Sequence, residues 1–296
     1  FLLYRKLSYI RLIFKNMNIL ITSVMGHIGY ALAFAANKKG YNVFGIVNKT
    51  IDKSKIKKLK KKNIFIFKIN LNDENSIAKI LKDKRIDCCI HTAAVSHEIY
   101  AKKNPLNNIN INAVAVLKII SAISKIKRKI KFINISTGSV FQDTTNDQNI
   151  YENFIPTPKS LYSSSKRLGE LIVSNANHNQ NINCSSVRIS WVYGPPIITK
   201  SLNIQRGPIP IILYEFTKKN KQNFFLKSGL NFRASFTFID DVSINIIKLI
   251  RKKSKLKDIY HLGTGRNNSL YEIFNSLKKI NKNIKFKIGK GAKPWS

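Results

Sequence analysis

Tyr162 and Lys166 stand four residues apart in the stretch YSSSK. On a helix that spacing puts a phenol and an ammonium on one face, where both can serve one site. A nearby ammonium favours phenolate and draws the tyrosine pKa down towards the range in which it acts as a general base. Upstream, the β-rich run FINIS ends in Ser136 and Thr137, and a hydroxyl there can hydrogen-bond to a substrate oxygen beside that tyrosine.

A second stretch, ITSVMGHIG at 21–29, follows an apolar run and precedes a helical pattern, the context in which spaced glycines bind a dinucleotide. Gly26 lets the backbone approach a pyrophosphate, Gly29 lets the helix pack closely on the strand, and the helix N-terminus offers unpaired N–H groups to the phosphates. Ser23 stands where a glycine usually makes the tight turn. In a left-handed conformation a serine there costs about 1–2 kcal/mol, which weakens the loop without forbidding it. The alternative is an ordinary strand–helix turn. At the end of the second strand no carboxylate is present to grip the ribose of NAD; the residues are Asn48 and Lys49. Lys49 either pairs with the 2′-phosphate of NADP or lies solvated.

These groups need a scaffold. From Asn18 the chain alternates short β-rich runs with longer helical stretches, the signature of a parallel sheet covered on both faces. Strands are expected at 18–23, 41–47, 63–69, 87–92, 130–136 and 183–190, and helices at 27–40, 73–83 and 105–127. A longer helix is expected from about 158 to 175, with Thr157 as N-cap and Pro158 at its first position. After WVYGPP the alternation is lost. The expected division is an extension at 1–16, a nucleotide-binding domain at 17–194, and a mainly substrate-binding region at 195–296 with some segments returning to the first domain.

At 296 residues and 44% hydrophobic, the chain can bury a substantial core. Its 52 Lys and Arg against 15 Asp and Glu give a formal charge of +37, which raises the question of nucleic acid. The lysines are spread through nearly every segment together with Asn and Ile. Even the densest run, KSKIKKLKKKN at 53–63, has little aromatic interleaving for base stacking. The charge therefore reads as compositional bias that steers anionic ligands, with no specific nucleic-acid partner. No run approaches the roughly 18 consecutive apolar residues of a membrane span. Cys88, Cys89 and Cys184 form no even framework and no CxxC pair, which points to small buried hydrophobes in a reducing cytoplasm and to no metal site. Residues 1–16 are expected to be an upstream extension, with a basic amphipathic anchor as the alternative. The closing GKGAKPWS carries no helix pattern, as in a fragment.

Nine motifs in order then carry a resemblance: TSVMGHIG, NLND (70–73), IHTAAVSH (90–97), NINAVAVLKII (110–120), ISTGSVF (135–141), PTPKSLYSSSKRLGE (156–170), VRISWVYGPP (187–196), SFTFIDDV (235–242) and YHLGTGRNNSL (260–270). Over about residues 17–290 the chain resembles the extended short-chain dehydrogenase/reductases, also called NAD-dependent epimerase/dehydratases. The resemblance implies an α/β fold, a Rossmann-type doubly wound parallel sheet with a small mixed C-terminal substrate-binding region. It implies NAD or NADP as cofactor and reversible hydride transfer on a sugar or nucleotide sugar. Thr137, Tyr162 and Lys166 are then the catalytic set: Tyr162 takes the proton of a sugar hydroxyl, Lys166 holds the nicotinamide ribose and keeps the tyrosine acidic, and Thr137 orients the hydroxyl. Ser23, Gly26, His27, Ile28 and Gly29 fall at the pyrophosphate turn, Asn70 and Leu71 at the adenine, Ala93 and Ala94 beneath the cofactor, and Asn112 behind it. His97 falls at a substrate contact, or is a surface histidine. A homodimer through a helix bundle is usual in the family.

Departures from the pattern sharpen the reading. The Asp-Glu pair of the sugar 4,6-dehydratases is here Gly138 and Ser139, which argues against elimination of water by that route. Asn70 replaces an aspartate at the adenine, where an amide oxygen still accepts a hydrogen bond. The slot of a diphosphate-clamping arginine holds Ala234, with Arg233 adjacent as its substitute. STGSVF and RISWVYG resemble the dTDP-4-dehydrorhamnose reductases instead. An epimerase is thus the first reading, an NADPH-dependent keto-sugar reductase the second, and a non-catalytic Rossmann-fold binding protein the third.

Overall fold

The structure is a computed structural model that describes residues 17–48, 52–142, 149–195 and 207–292. The extension at 1–16 and Lys49 lie outside the described residues. The chain runs through β1 (Asn18–Thr22), α1 (His27–Lys38), β2 (Asn42–Val47), α2 (Lys53–Lys60), β3 (Phe65–Lys68), α3 (Glu74–Asp83) and β4 (Cys88–His91). Two short helices, α4 (Glu98–Lys103) and α5 (Pro105–Ile109), a π-helical turn at Asn110–Val114 and α6 (Ala115–Ser124) lead to β5 (Lys131–Thr137). Then come α7 (Leu161–Asn179), β6 (Cys184–Ile189), β7 (Trp191–Tyr193), α8 (Pro208–Lys218), β8 (Asn223–Leu226), β9 (Arg233–Ala234), β10 (Phe236–Phe238) and α9 (Ile239–Arg251). β11 (Ile259–Leu262), β12 (Asn268–Ser269), α10 (Leu270–Ile280) and β13 (Lys285–Ile288) complete the described chain.

Seven strands form one parallel sheet in the order β11-β6-β5-β4-β1-β2-β3. Its central strands are buried on both faces because helices cover both. Ile19 and Ile21 of β1 pack with α1 and α9 on one side, while Leu20 packs with α3, α6 and α7 on the other. The chain moves outward from β1 to β3 and then returns to lay β4 against β1. At such a reversal the carboxyl ends of the strands open a crevice. β11 and α9, from the C-terminal third, return to this sheet and its core. The rest of that third builds a separate core around Phe224, Phe236, Leu270 and Phe274, with Phe274 and Phe286 stacked at 4.9 Å.

Three elements differ from expectation. The lysine-rich run at 53–63, given only a compositional meaning, holds α2: Asp52 Oδ1 accepts the Lys55 N–H at 3.1 Å, and Leu59 is buried. α7 starts at Leu161, not 158. Ser160 and Ser163 form a reciprocal capping box, with Ser160 Oγ accepting the Ser163 N–H at 3.2 Å and Ser163 Oγ accepting the Ser160 N–H at 3.1 Å. This leaves Pro158 ahead of the helix and Thr157 in a β-bridge with Phe141. Finally, the single helix expected at 105–127 is α5, a π-helical turn and α6; among the described residues this stretch, Pro105–Ser124, is long and apolar enough to cross a membrane. Half of it is buried, and Val116, Ile119 and Ile120 sit in the core against α3 and α7.

Two buried polar links fasten these layers. At the reversal, Thr22 Oγ1 accepts the N–H groups of Thr92 at 3.0 Å and Ala93 at 3.1 Å, and lies 3.1 Å from His91 Nδ1. With its lone pairs so used, the hydroxyl donates to Nδ1, and the protonated Nε2 faces the Ile111 carbonyl at 3.4 Å. Burial, aided by the Lys166 charge, pushes the His91 pKa down to about 3, so the imidazole is neutral. The second link joins α7 to β6. Arg188 donates to both Glu170 oxygens, Nε at 2.9 Å and Nη2 at 2.8 Å, and both side chains are buried. Ser136 Oγ adds a bond at 2.6 Å and Arg167 another at 3.0 Å. Burial alone raises the Glu170 pKa, but the Arg188 bonds outweigh it and hold the carboxyl below its ordinary value.

Removing the Glu170 carboxylate strands a guanidinium in the interior. Glu170→Ala is expected to cost about 3–5 kcal/mol in a urea unfolding curve, while Lys102→Ala, at an exposed pair, is expected to leave the midpoint nearly unchanged. For His91 the folded pKa of about 3 lies below the ordinary 6.5, so the unfolded chain binds more protons. Its contribution to stability is therefore present above pH 6.5 and is lost as pH falls towards 3. The Tm is expected to drop between about pH 7.5 and 5, and the already weakened His91→Asn variant is expected to lose less over that range.

Candidate active site

The nucleotide loop leaves β1 in the strained form that its sequence allows. Ser23 has φ of +51°, the left-handed region, at a cost of about 1–2 kcal/mol for a residue with a side chain. Three contacts hold it: Gly26 N–H donates to the Ser23 carbonyl at 2.8 Å, Val24 N–H to the Ile46 carbonyl at 3.1 Å, and Lys55 Nζ to the Met25 carbonyl at 2.6 Å. A Cβ on Gly29 would lie 2.5 Å from the Ser23 carbonyl oxygen and 2.7 Å from Thr92 Oγ1, so only glycine lets α1 pack here. Gly26 is the N-cap and brings no side chain to the first-turn N–H groups, which point at the crevice's mouth as an anion site requires.

Other cofactor candidates are placed as follows. The His27 ring lies 2.9 Å from the Gly194 carbonyl, and Ile28 packs on the core. Asn48 is exposed at the end of β2. Asn70 is exposed, and its Oδ1 accepts the Asn72 N–H at 3.1 Å, while Leu71 turns into the core. Ala93 is buried beside Thr22, and Ala94 follows it at the crevice.

Thr137 ends β5, where its Oγ1 accepts the Ser139 N–H at 3.1 Å and also hydrogen-bonds the Tyr162 phenol. Burial raises the Tyr162 pKa, and the Thr137 bond only partly opposes it. This corrects the expectation of a tyrosine made acidic by Lys166: desolvation of the phenolate outweighs the neighbouring groups. Lys166, one turn along, is 1% exposed, and its Nζ has no hydrogen-bond partner. Burial lowers its pKa to about 8, with Glu170 opposing, so it remains largely an ammonium at neutral pH. An unpaired buried ammonium is costly unless a ligand completes it. A pair of ribose hydroxyls at this edge is the partner that its chemistry fits, so the residues present accommodate a nicotinamide nucleotide.

The position of α7 is fixed from both sides. Glu98 Oε2 accepts the Tyr162 N–H at 3.0 Å, a carboxylate at a helix N-terminus. Asn112, in the π-helical turn, accepts the Val95 N–H at 2.9 Å and donates to Asn108 Oδ1 and to Ser165 Oγ, both at 2.9 Å. It lies behind the crevice, gripping the residue before Lys166. A Cβ on Gly169 would sit 2.6 Å from the Asn112 carbonyl oxygen, so the two helices meet closely there.

Among the described residues, neither candidate substrate contact hydrogen-bonds Thr137, Tyr162 or Lys166, and only His97 adjoins a residue, Glu98, that does. His97 caps α4, its Nδ1 accepting the Ile99 N–H at 3.2 Å, with its ring against Tyr100. Arg233 is exposed on β9, across from Ser269. Sequence reasoning passed over His91, Glu98, Glu170, Arg188 and His261. Arg188 left a signal, a lone cation in the otherwise uncharged strand CSSVRI, since an arginine is almost never buried unpaired. His261 Nε2 accepts from Arg188 Nη1 at 3.2 Å, and its Nδ1 donates to the Ile150 carbonyl at 3.1 Å, which extends the buried link to the loop before α7.

Comparison with known proteins agrees with this fold. The model of the NAD dependent epimerase/dehydratase family matches residues 19–263. Protein CapI of Staphylococcus aureus is 27% identical over 244 residues, 80% of this chain and 70% of that protein. UDP-glucose 4-epimerase of Thermotoga maritima, solved with UDP-glucose, superposes with a TM-score of 0.79 at 21% identity, over 93% of this chain and 86% of that one. UDP-glucuronic acid 4-epimerase of Bacillus cereus, solved with UDP-glucuronic acid and NAD, gives 0.76 at 22% identity, over 94% and 88%. At these identities the two structures speak to the fold. The family match spans well over half of the chain, which belongs to the NAD-dependent epimerase/dehydratase family and is an NAD(P)-dependent enzyme of the extended short-chain dehydrogenase/reductase type.

Proposed function

We propose that the chain epimerises a nucleotide sugar by reversible hydride transfer at one ring carbon. The observation that carries this reading is the buried, unpartnered Lys166 ammonium one helical turn from a tyrosine hydrogen-bonded to Thr137. When bound, the nicotinamide supplies a reversible hydride acceptor. Lys166 and the first turn of α1 hold that cofactor, with Ala93 and Ala94 beneath it and Asn112 supporting from behind. Tyr162 exchanges the proton of the reacting hydroxyl, and Thr137 fixes where that oxygen sits. Arg233 is the cation we assign to the diphosphate, and His97 borders the sugar. The solved neighbours contain UDP-sugars, so UDP-glucose and UDP-glucuronic acid are the first substrates to try. The three cysteines described are buried free thiols, consistent with the cytoplasmic setting we assign.

We also infer a homodimer. α6 and α7 pack side by side and leave Leu117, Leu168 and Leu171 exposed, an apolar face that a second copy would cover.

Incubation with each UDP-sugar, followed by NMR of the sugar ring, is expected to show interconversion of two epimers. Tyr162→Phe is expected to lower the rate by about 10²–10⁴-fold, with NAD affinity nearly unchanged. Retained turnover in that variant overturns the assignment. Native mass spectrometry of the purified protein is expected to find NAD retained, because epimerisation returns its hydride; an empty site filled only by NADPH points to the reductase. Leu117→Glu together with Leu168→Glu is expected to give a monomer by light scattering, and a wild-type monomer refutes the dimer.

A further inference from the structure

Lys55 and Lys166 are the two buried lysines among the described residues. Lys166 belongs to the site above. Lys55 belongs to α2, and its side chain runs back to the nucleotide loop. Its Nζ donates to the Met25 carbonyl at 2.6 Å and lies 5.1 Å from the centre of the Tyr30 ring on α1. The Asp52 cap fixes where α2 begins, because it accepts the Lys55 N–H at 3.1 Å. The ammonium thus comes from a helix whose start is capped.

Met25 lies between the strained Ser23 and the N-cap Gly26. Holding its carbonyl fixes the plane of the Met25–Gly26 peptide, and with it the entry to α1, whose first N–H groups carry no side-chain cap and are read above as the phosphate site. A glycine-led loop takes up its left-handed turn freely, whereas a serine-led loop resists it. We propose that Lys55 is a positioning residue of the cofactor loop, which holds the Met25–Gly26 peptide in its nucleotide-binding form and offsets the strain at Ser23. The proposal rests on the reading of this loop as the dinucleotide site.

The test is titration of NADH and NADPH into the purified full chain, followed by nucleotide fluorescence. Lys55→Met keeps the aliphatic stem on Tyr30 and removes the donor. It is expected to raise both dissociation constants by a similar factor of about ten. Lys55→Arg is expected to restore them to within about threefold, since it keeps a long cationic donor. In a Ser23→Gly background the Lys55→Met penalty is expected to shrink to about twofold, because the turn no longer needs an external hold. An unchanged dissociation constant overturns the proposal, as does a penalty confined to NADPH, which marks a direct phosphate contact. An equal penalty in both backgrounds also overturns it. Should Lys55→Met not fold, Lys55→Leu is read in the same way. If the wild-type chain binds neither nucleotide, the loop reading itself fails and this inference with it; if it binds and the variants do not differ, only the inference fails.

Discussion

Helix α7 carries two charges into the interior four residues apart, and the molecule treats them in opposite ways. Glu170 is saturated by two bonds from Arg188, one from Ser136 and one from Arg167. Lys166 is left with none. A buried ion that is fully paired makes a structural joint, whereas one that is unpaired makes a binding site. The joint is what makes the site tolerable: Glu170 anchors the helix to β6, raises the Lys166 pKa against the pull of burial, and through Arg188 reaches His261 on β11. On its other flank α7 is held by Asn112 and Glu98. The face bearing Tyr162 and Lys166 is therefore located by groups spread over β6, β11, α4 and the π-helical turn.

That arrangement also sets what Tyr162 can do. Its pKa is raised by burial, and the Thr137 hydroxyl is the opposing contact. In the proposed reaction the protonated phenol gives a proton to a sugar oxygen in one direction, and its conjugate base removes one in the other. Reversible chemistry needs both directions. The separate buried histidine, His91, stays neutral and contributes only hydrogen bonds, so it does not compete for this proton.

Local pattern was enough to read the alternating strands and helices, the turn at Gly26 and Gly29, and the shared face of Tyr162 and Lys166. These depend on residues a few positions apart, where the period of the element decides the outcome. What stayed hidden depends on distance. α2 looked like mere lysine bias because only tertiary packing shows that Leu59 is buried and that Lys55 turns back to a loop thirty residues earlier. The start of α7 was misplaced because a Ser-Ser capping box won over a Thr-Pro signal three residues upstream. The tyrosine's pKa was misjudged because spacing reveals a neighbouring charge but not the desolvation that opposes it.

The turn after β5 bears on which reaction this framework favours. Gly138–Val140 is a short 3₁₀ turn in which Thr137 Oγ1 accepts the Ser139 N–H at 3.1 Å and donates to Ser139 Oγ at 3.2 Å. Where an acid–base pair would be needed to remove water from a sugar, this chain places groups that orient the threonine instead. No carboxylate at these two positions can take or give a proton at a neighbouring carbon. The proposed epimerisation needs no such pair: it calls on the hydroxyl contact and the hydride exchange, an oxidation that is then reversed on the other face. The absence of side-chain acidity at Gly138 and Ser139 thus supports epimerisation over elimination, on the same scaffold and with the same tyrosine.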